Sequence, residues 1–175
     1  MKTRVALIAG GDSGEYEVSI NSAASVYEQL DKELYEVYTI YMEKTDWFYE
    51  DSEHGKVQVD KNDFSIILEA GKITFDVAFI LIHGTPGEDG KLQGYFELLG
   101  IPYTTSDLFT STITFKKSFT KHVARSLKIN ISKTIYLESR NSKSTGELRE
   151  ELGLPCFVKP NKGGSSVGIT KVKRE

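Results

Sequence analysis

An apolar segment that runs into a pair of glycines constrains this chain more than any other feature. Residues 5–9 read VALIA and carry no polar side chain, and Gly10 and Gly11 follow directly. A strand that is apolar on both faces is typical of the interior of a parallel sheet. Apolar residues then recur at helical spacing, at Ile20, Ala23, Ala24, Tyr27 and Leu30. The order strand, glycine loop, helix predicts an open α/β sheet, which binds ligands beyond the carboxyl ends of its strands.

The loop between this strand and its helix differs from a dinucleotide-binding loop. Its glycines do not follow the G-x-G-x-x-G spacing, and Asp12 and Ser13 are candidate N-cap residues. Glu15 stands at the predicted N-terminus of the helix, where a phosphate would otherwise bind. A carboxylate there is stabilised by the helix dipole, repels an anion and suits an ammonium group. The alternative is that Glu15 and Glu17 are ordinary first-turn acids that only stabilise the helix.

A second strand and glycine loop repeat this arrangement. Residues 75–82, FDVAFILI, predict another central parallel strand, and residues 83–90, HGTPGEDG, follow it. Because the carboxyl ends of parallel strands meet at one edge of a sheet, both loops are expected there, with Glu15 and His83 facing a common ligand. The alternative for His83 is a structural hydrogen bond to a loop carbonyl.

The segments around these two units carry weaker patterns. Residues 33–41 and 47–49 predict strands, and residues 51–63 are interpreted as a polar surface excursion. A helix in two pieces is predicted over 106–127 and a polar helix over about 142–152. A basic line at helical spacing favours a solvated face unless a partner element brings phosphate to it; it consists of Lys117, Lys121, Arg125 and Lys128.

The last segment predicts two strands, 154–160 and 167–172, around the turn NKGGSS at 161–166. Bare backbone N–H groups, two hydroxyls and the flanking Lys159 and Lys162 suit a polyphosphate, although the spacing is not that of a P-loop. The alternative is a plain hairpin turn. Too few elements follow residue 126 to cover the apolar residues there, so we expect a domain at 1–105 and an incomplete second one at 106–175.

Composition narrows the class of protein. The 175 residues carry a formal net charge of −3, which argues against general binding of nucleic acid. Cys156 is the only cysteine, which excludes internal disulfides and fits a reducing cytoplasm. No apolar segment is long enough to predict a membrane span. These features predict a cytoplasmic protein without a membrane or nucleic-acid partner.

Taken together, the motifs resemble those of the D-alanine–D-alanine ligases, members of the ATP-grasp superfamily. The matching blocks are 10–19, 81–84, 87–94, 158–160 and 164–168. The resemblance implies a Rossmann-like, N-terminal parallel sheet flanked by helices, followed by the start of an ATP-grasp central domain. It implies that ATP, with Mg²⁺, phosphorylates the carboxylate of one D-alanine, and that the amine of a second attacks the acyl phosphate. Phosphate and the dipeptide used in peptidoglycan are released.

The same resemblance implies roles for particular residues. Glu15 would hold the ammonium of the first D-alanine, Val18 would lie near its methyl group, and His83 would lie beside the reacting carboxylate. Ser165 would join Glu15 in a hydrogen-bonded set. The residues implied to contact ATP phosphates are Lys117, Lys159, Gly164, Ser165 and Ser166, and their turn would close as a lid. The family commonly has an acid where this chain has Lys116.

The family's adenine pocket, oxyanion arginine and Mg²⁺ ligands are expected beyond residue 175, so the matching residues predict no metal site here. The 175-residue piece alone is therefore expected to be inactive, and the resemblance implies a homodimer through the N-terminal domain. The second substrate stays open among D-alanine, D-lactate and D-serine. The alternatives are another ATP-grasp carboxylate–amine ligase, or a non-enzymatic module that binds an amino acid.

Overall fold

The computed structural model describes residues 2–137 and 143–174. By its internal contacts the chain divides into two compact units, Met1–Thr112 and Ile113–Glu175. The domain boundary predicted between residues 105 and 106 stays a prediction. In the part of the chain that the structure describes, no helix is long and apolar enough to cross a membrane.

The first unit is built on a five-stranded sheet. The strands are β1 Thr3–Gly10, β2 Tyr35–Glu43, β3 Asp46–Asp51, β4 Gly55–Gln58 and β7 Val77–Ile80. Their order is β4-β3-β2-β1-β7, with β1 parallel to β2 and β7, and with β3 and β4 antiparallel. A separate hairpin pairs β5 Ile66–Leu68 with β6 Gly71–Ile73. The helices of this unit are α1 Tyr16–Gln29 and α2 Lys91–Leu99, and α3 Leu108–Phe115 begins in it and ends in the second unit.

Strand β1 is central because both of its faces are covered. Ala6 and Ile8 point into a large core cluster that includes Leu92 and Phe96 of α2. Leu7 and Ala9 point the other way, and they pack with Ala23 of α1. This alternation of side chains along a strand places one helix on each face of the sheet. The predicted fold class, an α/β sheet with parallel strands flanked by helices, is confirmed.

Strand β7 is not central as predicted. It is the last named strand of the sheet, and a bridge between Ala78 and Tyr103 is all that residues 2–137 and 143–174 place on its outer side. The Ala78 N–H donates to the Pro102 carbonyl at 2.8 Å, and the Thr104 N–H donates to the Ala78 carbonyl at 3.2 Å. This short segment covers the edge, which explains why the strand is apolar although it has one full neighbour.

One further expectation about this unit was wrong, and another was incomplete. Ala24 and Tyr27 of α1 are exposed, because the buried line of this helix runs instead through Ser19 and Ala23. The polar excursion at 51–63 contains β4, which extends the sheet by pairing with β3. The polar side chains of β4 reflect its exposed faces and give no indication that its backbone pairs with β3.

The second unit holds α4 Lys117–Ser126, α5 Thr145–Leu152 and an antiparallel pair of strands, β8 Cys156–Val158 and β9 Thr170–Val172. Helix α5 begins with a capping box: the Glu147 N–H donates to the Ser144 hydroxyl, and the Ser144 N–H donates to the Glu147 carboxylate at 2.8 Å. The polar helix predicted from about residue 142 is thus found, although residue 142 itself lies outside the described residues. The two predicted pieces of the 106–127 helix are α3 and α4.

Candidate functional site

One serine hydroxyl joins the two glycine loops at the carboxyl edge of the sheet. The Ser13 hydroxyl donates to the His83 carbonyl at 2.7 Å and accepts the Glu15 N–H at 3.1 Å. A second link runs beside it, since the Asp12 N–H donates to the Thr85 carbonyl at 2.9 Å. The expectation that the two loops lie together is confirmed. Ser13 achieves this by bridging the loops, whereas the sequence suggested only a helix cap.

The glycines of the first loop permit this close approach. A Cβ on Gly10 would lie 2.5 Å from the Met42 carbonyl oxygen, and one on Gly11 would lie 2.5 Å from Ile82 Cγ2. Both have φ near +100°, in the region that favours glycine. Gly14 differs, because apart from its two chain neighbours no atom lies within 4 Å of its Cβ position, and its φ is not positive. The loop is therefore closed at its start and open next to Glu15.

A buried serine of α1 holds the ends of two strands. The Ser19 hydroxyl accepts the Gly10 N–H at 2.9 Å and donates to the Leu81 carbonyl at 2.8 Å, and Ser19 is fully buried. At the start of the same helix, the Tyr16 hydroxyl donates to Glu43 at 2.6 Å. That hydrogen bond, with burial, raises the pKa of Tyr16 to about 12. These bonds fix the helix N-terminus, and with it Glu15, against the sheet.

The second loop is held from within. Thr85 donates to the Asp89 carboxylate at 2.7 Å, and Lys91 forms an ion pair with Asp89 at 2.8 Å. Burial alone would raise the pKa of Asp89, but the hydrogen bonds from Lys91 and Thr85 lower it below its ordinary value. The buried Gln93 amide donates to the Gly87 carbonyl at 2.7 Å and so ties the loop to α2. His83 is thus presented by a rigid segment.

Three residues were predicted to bind the amino-acid substrate, and the structure shows the surroundings of each. Glu15 is the N-cap residue of α1 and is 9% exposed, and its carboxylate does not cap the helix. His83 is half-buried, and Val18 on the first turn of α1 is 50% exposed. The Ser13 hydroxyl contacts the backbone of both Glu15 and His83. Their predicted roles towards an amino acid stay predictions.

In the second unit, an asparagine brings a predicted phosphate lysine to the glycine–serine turn. The Asn161 side chain accepts the Ser118 N–H at 2.8 Å, and its backbone carbonyl accepts the Lys117 N–H at 3.0 Å. Asn161 thereby caps α4 from another segment. The Lys117 ammonium donates to the Gly163 carbonyl at 2.7 Å. Lys117 and the turn are therefore brought together.

A cavity of about 590 Å³ lies in the same unit. Lys117, Lys121 and Lys159 line it, together with apolar residues of the β8 strand and the segments before it. Burial, and then the neighbouring charges of Lys159 and Arg125, lower the pKa of Lys121. Its ammonium donates to the hydroxyls of Ser132 at 2.7 Å and Thr134 at 2.6 Å. The partner element on which a phosphate role of this basic line depends is therefore present for Lys117, and the phosphate role itself stays a prediction.

The turn itself has an unusual backbone. Ser165 and Ser166 have φ of +44° and +59°, which non-glycine residues seldom adopt. Both are exposed, as is Gly164. Successive backbone N–H groups in turn conformations form concavities that bind anions. Strain of this sort concentrates at ligand clamps.

The donor set of the second unit fits a polyphosphate, because it combines lysine ammonium groups and hydroxyls around one cavity with an exposed glycine–serine turn. It does not fit a divalent metal ion, which prefers carboxylate and carbonyl oxygens. Across residues 2–137 and 143–174, no group of three or more His, Cys, Asp or Glu side chains that could hold a metal is found.

Comparison with known proteins identifies the family. The family model described as D-ala D-ala ligase N-terminus matches residues 4–106, and the one described as D-ala D-ala ligase C-terminus matches residues 123–175. The chain belongs to the D-alanine–D-alanine ligase family. A D-alanine–D-alanine ligase of Bacteroides thetaiotaomicron is 44% identical over 173 residues, which are 99% of this chain and 53% of that protein.

Solved structures of ligases agree with this family assignment. The D-alanyl-alanine synthetase A of Vibrio cholerae superposes with a TM-score of 0.84 at 31% identity, covering 99% of this chain and 52% of that one. The VanG D-Ala:D-Ser ligase of Enterococcus faecalis superposes with a TM-score of 0.82 at 29% identity, covering 100% and 57%. The chain spans about half the length of the ligases that it matches.

The geometry also shows what the motifs of this ligase family did not reveal. Ser19, Asn161 and Lys121 were not predicted as site-building residues, and Ser13 was assigned only a capping role. A polar residue at a position that is buried on a helix face is the one signal that could have pointed to Ser19. The predicted hydrogen-bonded set of Glu15 and Ser165 joins two units of the chain, and it stays a prediction.

Proposed function

We propose that this chain carries the first amino-acid site and part of the phosphate site of an ATP-dependent D-alanine–D-alanine ligase. The observation that carries the proposal is the bonding of both glycine loops to Ser13, which sets Glu15 and His83 at one edge of the sheet. An α-amino acid has a cation and an anion on adjacent atoms. A carboxylate at one loop and an imidazole at the other match that pair.

The chain's own residues then have distinct tasks. Glu15 holds the ammonium of the first D-alanine, Val18 lies near the methyl group, and His83 faces the carboxylate that becomes phosphorylated. Lys117 and Lys159, with Gly164, Ser165 and Ser166, hold the phosphates. ATP supplies the phosphoryl group that activates this carboxylate. Positioning and charge neutralisation carry most of such a transfer, which is consistent with a site rich in lysine and glycine.

The test is ligation and binding by the full-length protein to which these residues belong. We expect phosphate release from ATP only when D-alanine is present, and D-alanyl-D-alanine as the product. Glu15→Gln should weaken D-alanine binding roughly tenfold to a hundredfold, because a hydrogen bond to a charged group contributes about 1.5–3 kcal/mol. Glu17→Gln, an exposed acid on the same helical turn, is the matched control. Equal loss in both variants, or none in Glu15→Gln, contradicts the proposal.

A second candidate differs only in the second substrate. The superposition with a D-Ala:D-Ser ligase supports it, since that protein shares the fold over the whole of this chain. Supplying D-serine or D-lactate with D-alanine, and identifying the product by mass, separates the two. If the full-length protein binds amino acids but releases no phosphate from ATP, that result would instead favour a non-enzymatic module that binds an amino acid.

The proposal extends to the setting of the protein. The use of ATP and the single Cys156 are consistent with the cytoplasm. A homodimer formed through the first unit belongs to the same proposal, and analytical ultracentrifugation tests it.

A further inference from the structure

We infer that Ser13 is a positioning residue that sets the distance between the ammonium-binding and carboxylate-binding sides of the amino-acid site. The inference rests on the proposed function and deepens it, because it assigns to the Ser13 hydroxyl an effect on the reaction rate as well as the link between the loops. Ser13 itself does not react. Its hydroxyl proton is already donated to the His83 carbonyl, so it is not activated as a nucleophile.

The hydrogen bonds of Ser13 span the two loops. Its oxygen lies 2.7 Å from the His83 carbonyl oxygen and 3.1 Å from the Glu15 nitrogen, and His83 is 70 residues away in the chain. Each partner is the backbone of a residue whose side chain faces the proposed substrate. A shift of this one oxygen therefore moves both walls of the site relative to each other.

The fit around Ser13 leaves little freedom. A Cβ on Gly84 would lie 2.7 Å from Ser13 Cβ and 2.9 Å from its oxygen, and Gly84 has φ of +76°. The second loop thus approaches the serine as closely as a backbone without a side chain allows. Such contact fixes the loop separation to a fraction of an ångström, and a misplacement of about 1 Å can reduce a rate about a hundredfold.

The fold does not depend on this hydroxyl. The Asp12 N–H bond to the Thr85 carbonyl links the loops independently, and Ser19 holds the strand ends. Ser13 is only partly buried, so water can replace it at both backbone groups. Ser13→Ala is therefore expected to fold, with looser loops.

The experiment compares Ser13→Ala with Ser25→Ala in the full-length protein. Ser25 is exposed on α1, and its hydroxyl donates to the Asn21 carbonyl at 3.0 Å, so its removal deletes one side-chain bond without touching a loop. For Ser13→Ala we expect kcat/KM for the first D-alanine to fall about tenfold to a hundredfold, with the KM for ATP unchanged. Amide hydrogen exchange should show loss of protection at Glu15. Ser25→Ala should leave all of these unchanged.

Each outcome has a separate meaning. Unchanged protection at Glu15 overturns the inference, because the bond would then be absent. Lost protection with unchanged kcat/KM also overturns it, because the bond would then have no effect on positioning. An equal rise in the KM for ATP and for D-alanine indicates general loosening and contradicts the assigned role. A wild-type protein that does not ligate D-alanine refutes the proposed function instead, and the exchange data still report on the bridge.

Discussion

Removing the hydroxyl of Ser19 should destabilise the first unit more than any comparable change on the same helix. Ser19 is fully buried and satisfies both the Gly10 N–H and the Leu81 carbonyl. Each buried group left unpaired costs about 1–3 kcal/mol. Alanine returns about 0.5 kcal/mol through its higher helix propensity. The two groups together cost about 2–6 kcal/mol, so the expected loss for Ser19→Ala is about 1.5–5.5 kcal/mol of unfolding free energy.

Trp47, the only tryptophan, makes this measurable. Its ring packs edge-on against Phe64 and Tyr95 in the core of the first unit, with centroids 6.4 and 5.4 Å away. Its fluorescence should follow urea unfolding of that unit, and the midpoint should fall by about 1–3 M at a urea slope of about 2 kcal/mol per M.

The matched control is Ser22→Ala, which deletes an exposed bond of the same helix to the Val18 carbonyl at 2.7 Å. It should change the unfolding free energy by no more than about 0.5 kcal/mol. A loss below about 1 kcal/mol for Ser19→Ala, or an equal loss in both variants, would refute the reasoning about unpaired buried groups.

Three further results are expected. Gly84→Ala places a side chain on a left-handed backbone and also against the first loop, whereas Gly100→Ala, with φ of +68° and open space, has only the backbone cost. Thermal unfolding should show Gly84→Ala to be less stable than Gly100→Ala by about 1–3 kcal/mol. Equal losses of stability in the two variants would exclude the clash. The hydrogen bond with the Asp51 carboxylate raises the pKa of His54 above 6.5. The stabilisation by this contact is therefore full below pH 6.5 and is lost as the pH rises through the raised pKa. In Asp51→Asn, NMR titration should show that the pKa of His54 is no longer raised. Ser144→Ala should lower the helical circular dichroism by breaking a cap worth about 1 kcal/mol, and an unchanged spectrum would contradict this.

Much of the fold follows from local patterns. The apolar 5–9 segment predicted β1, and the glycine pair after it predicted the loop that precedes α1. Periodicity and glycine punctuation are local signals, so they survive without knowledge of the neighbours. The two-piece helix at 106–127 was found for the same reason.

The errors came from contacts between distant segments. Strand β4 was missed because its pairing with β3 depends on backbone hydrogen bonds, which its polar side chains do not indicate. Ser13 and Ser19 look like ordinary helix-start residues until their partners, 70 and 62 residues away, are known. Lys121 is on a basic line that resembles a solvated face, and only the cavity gives it another environment. Side chains that close a site are chosen by tertiary geometry, which no periodicity encodes.

The open side of Gly14 has a consequence for engineering. Gly10 and Gly11 of the same loop exclude any side chain, whereas a Cβ at Gly14 meets no atom within 4 Å other than those of its chain neighbours Ser13 and Glu15. A library that varies the first loop can therefore add volume directly beside Glu15 without disturbing the strand ends. Selection at this position would show how far the specificity of the proposed amino-acid site can be shifted while the scaffold stays constant.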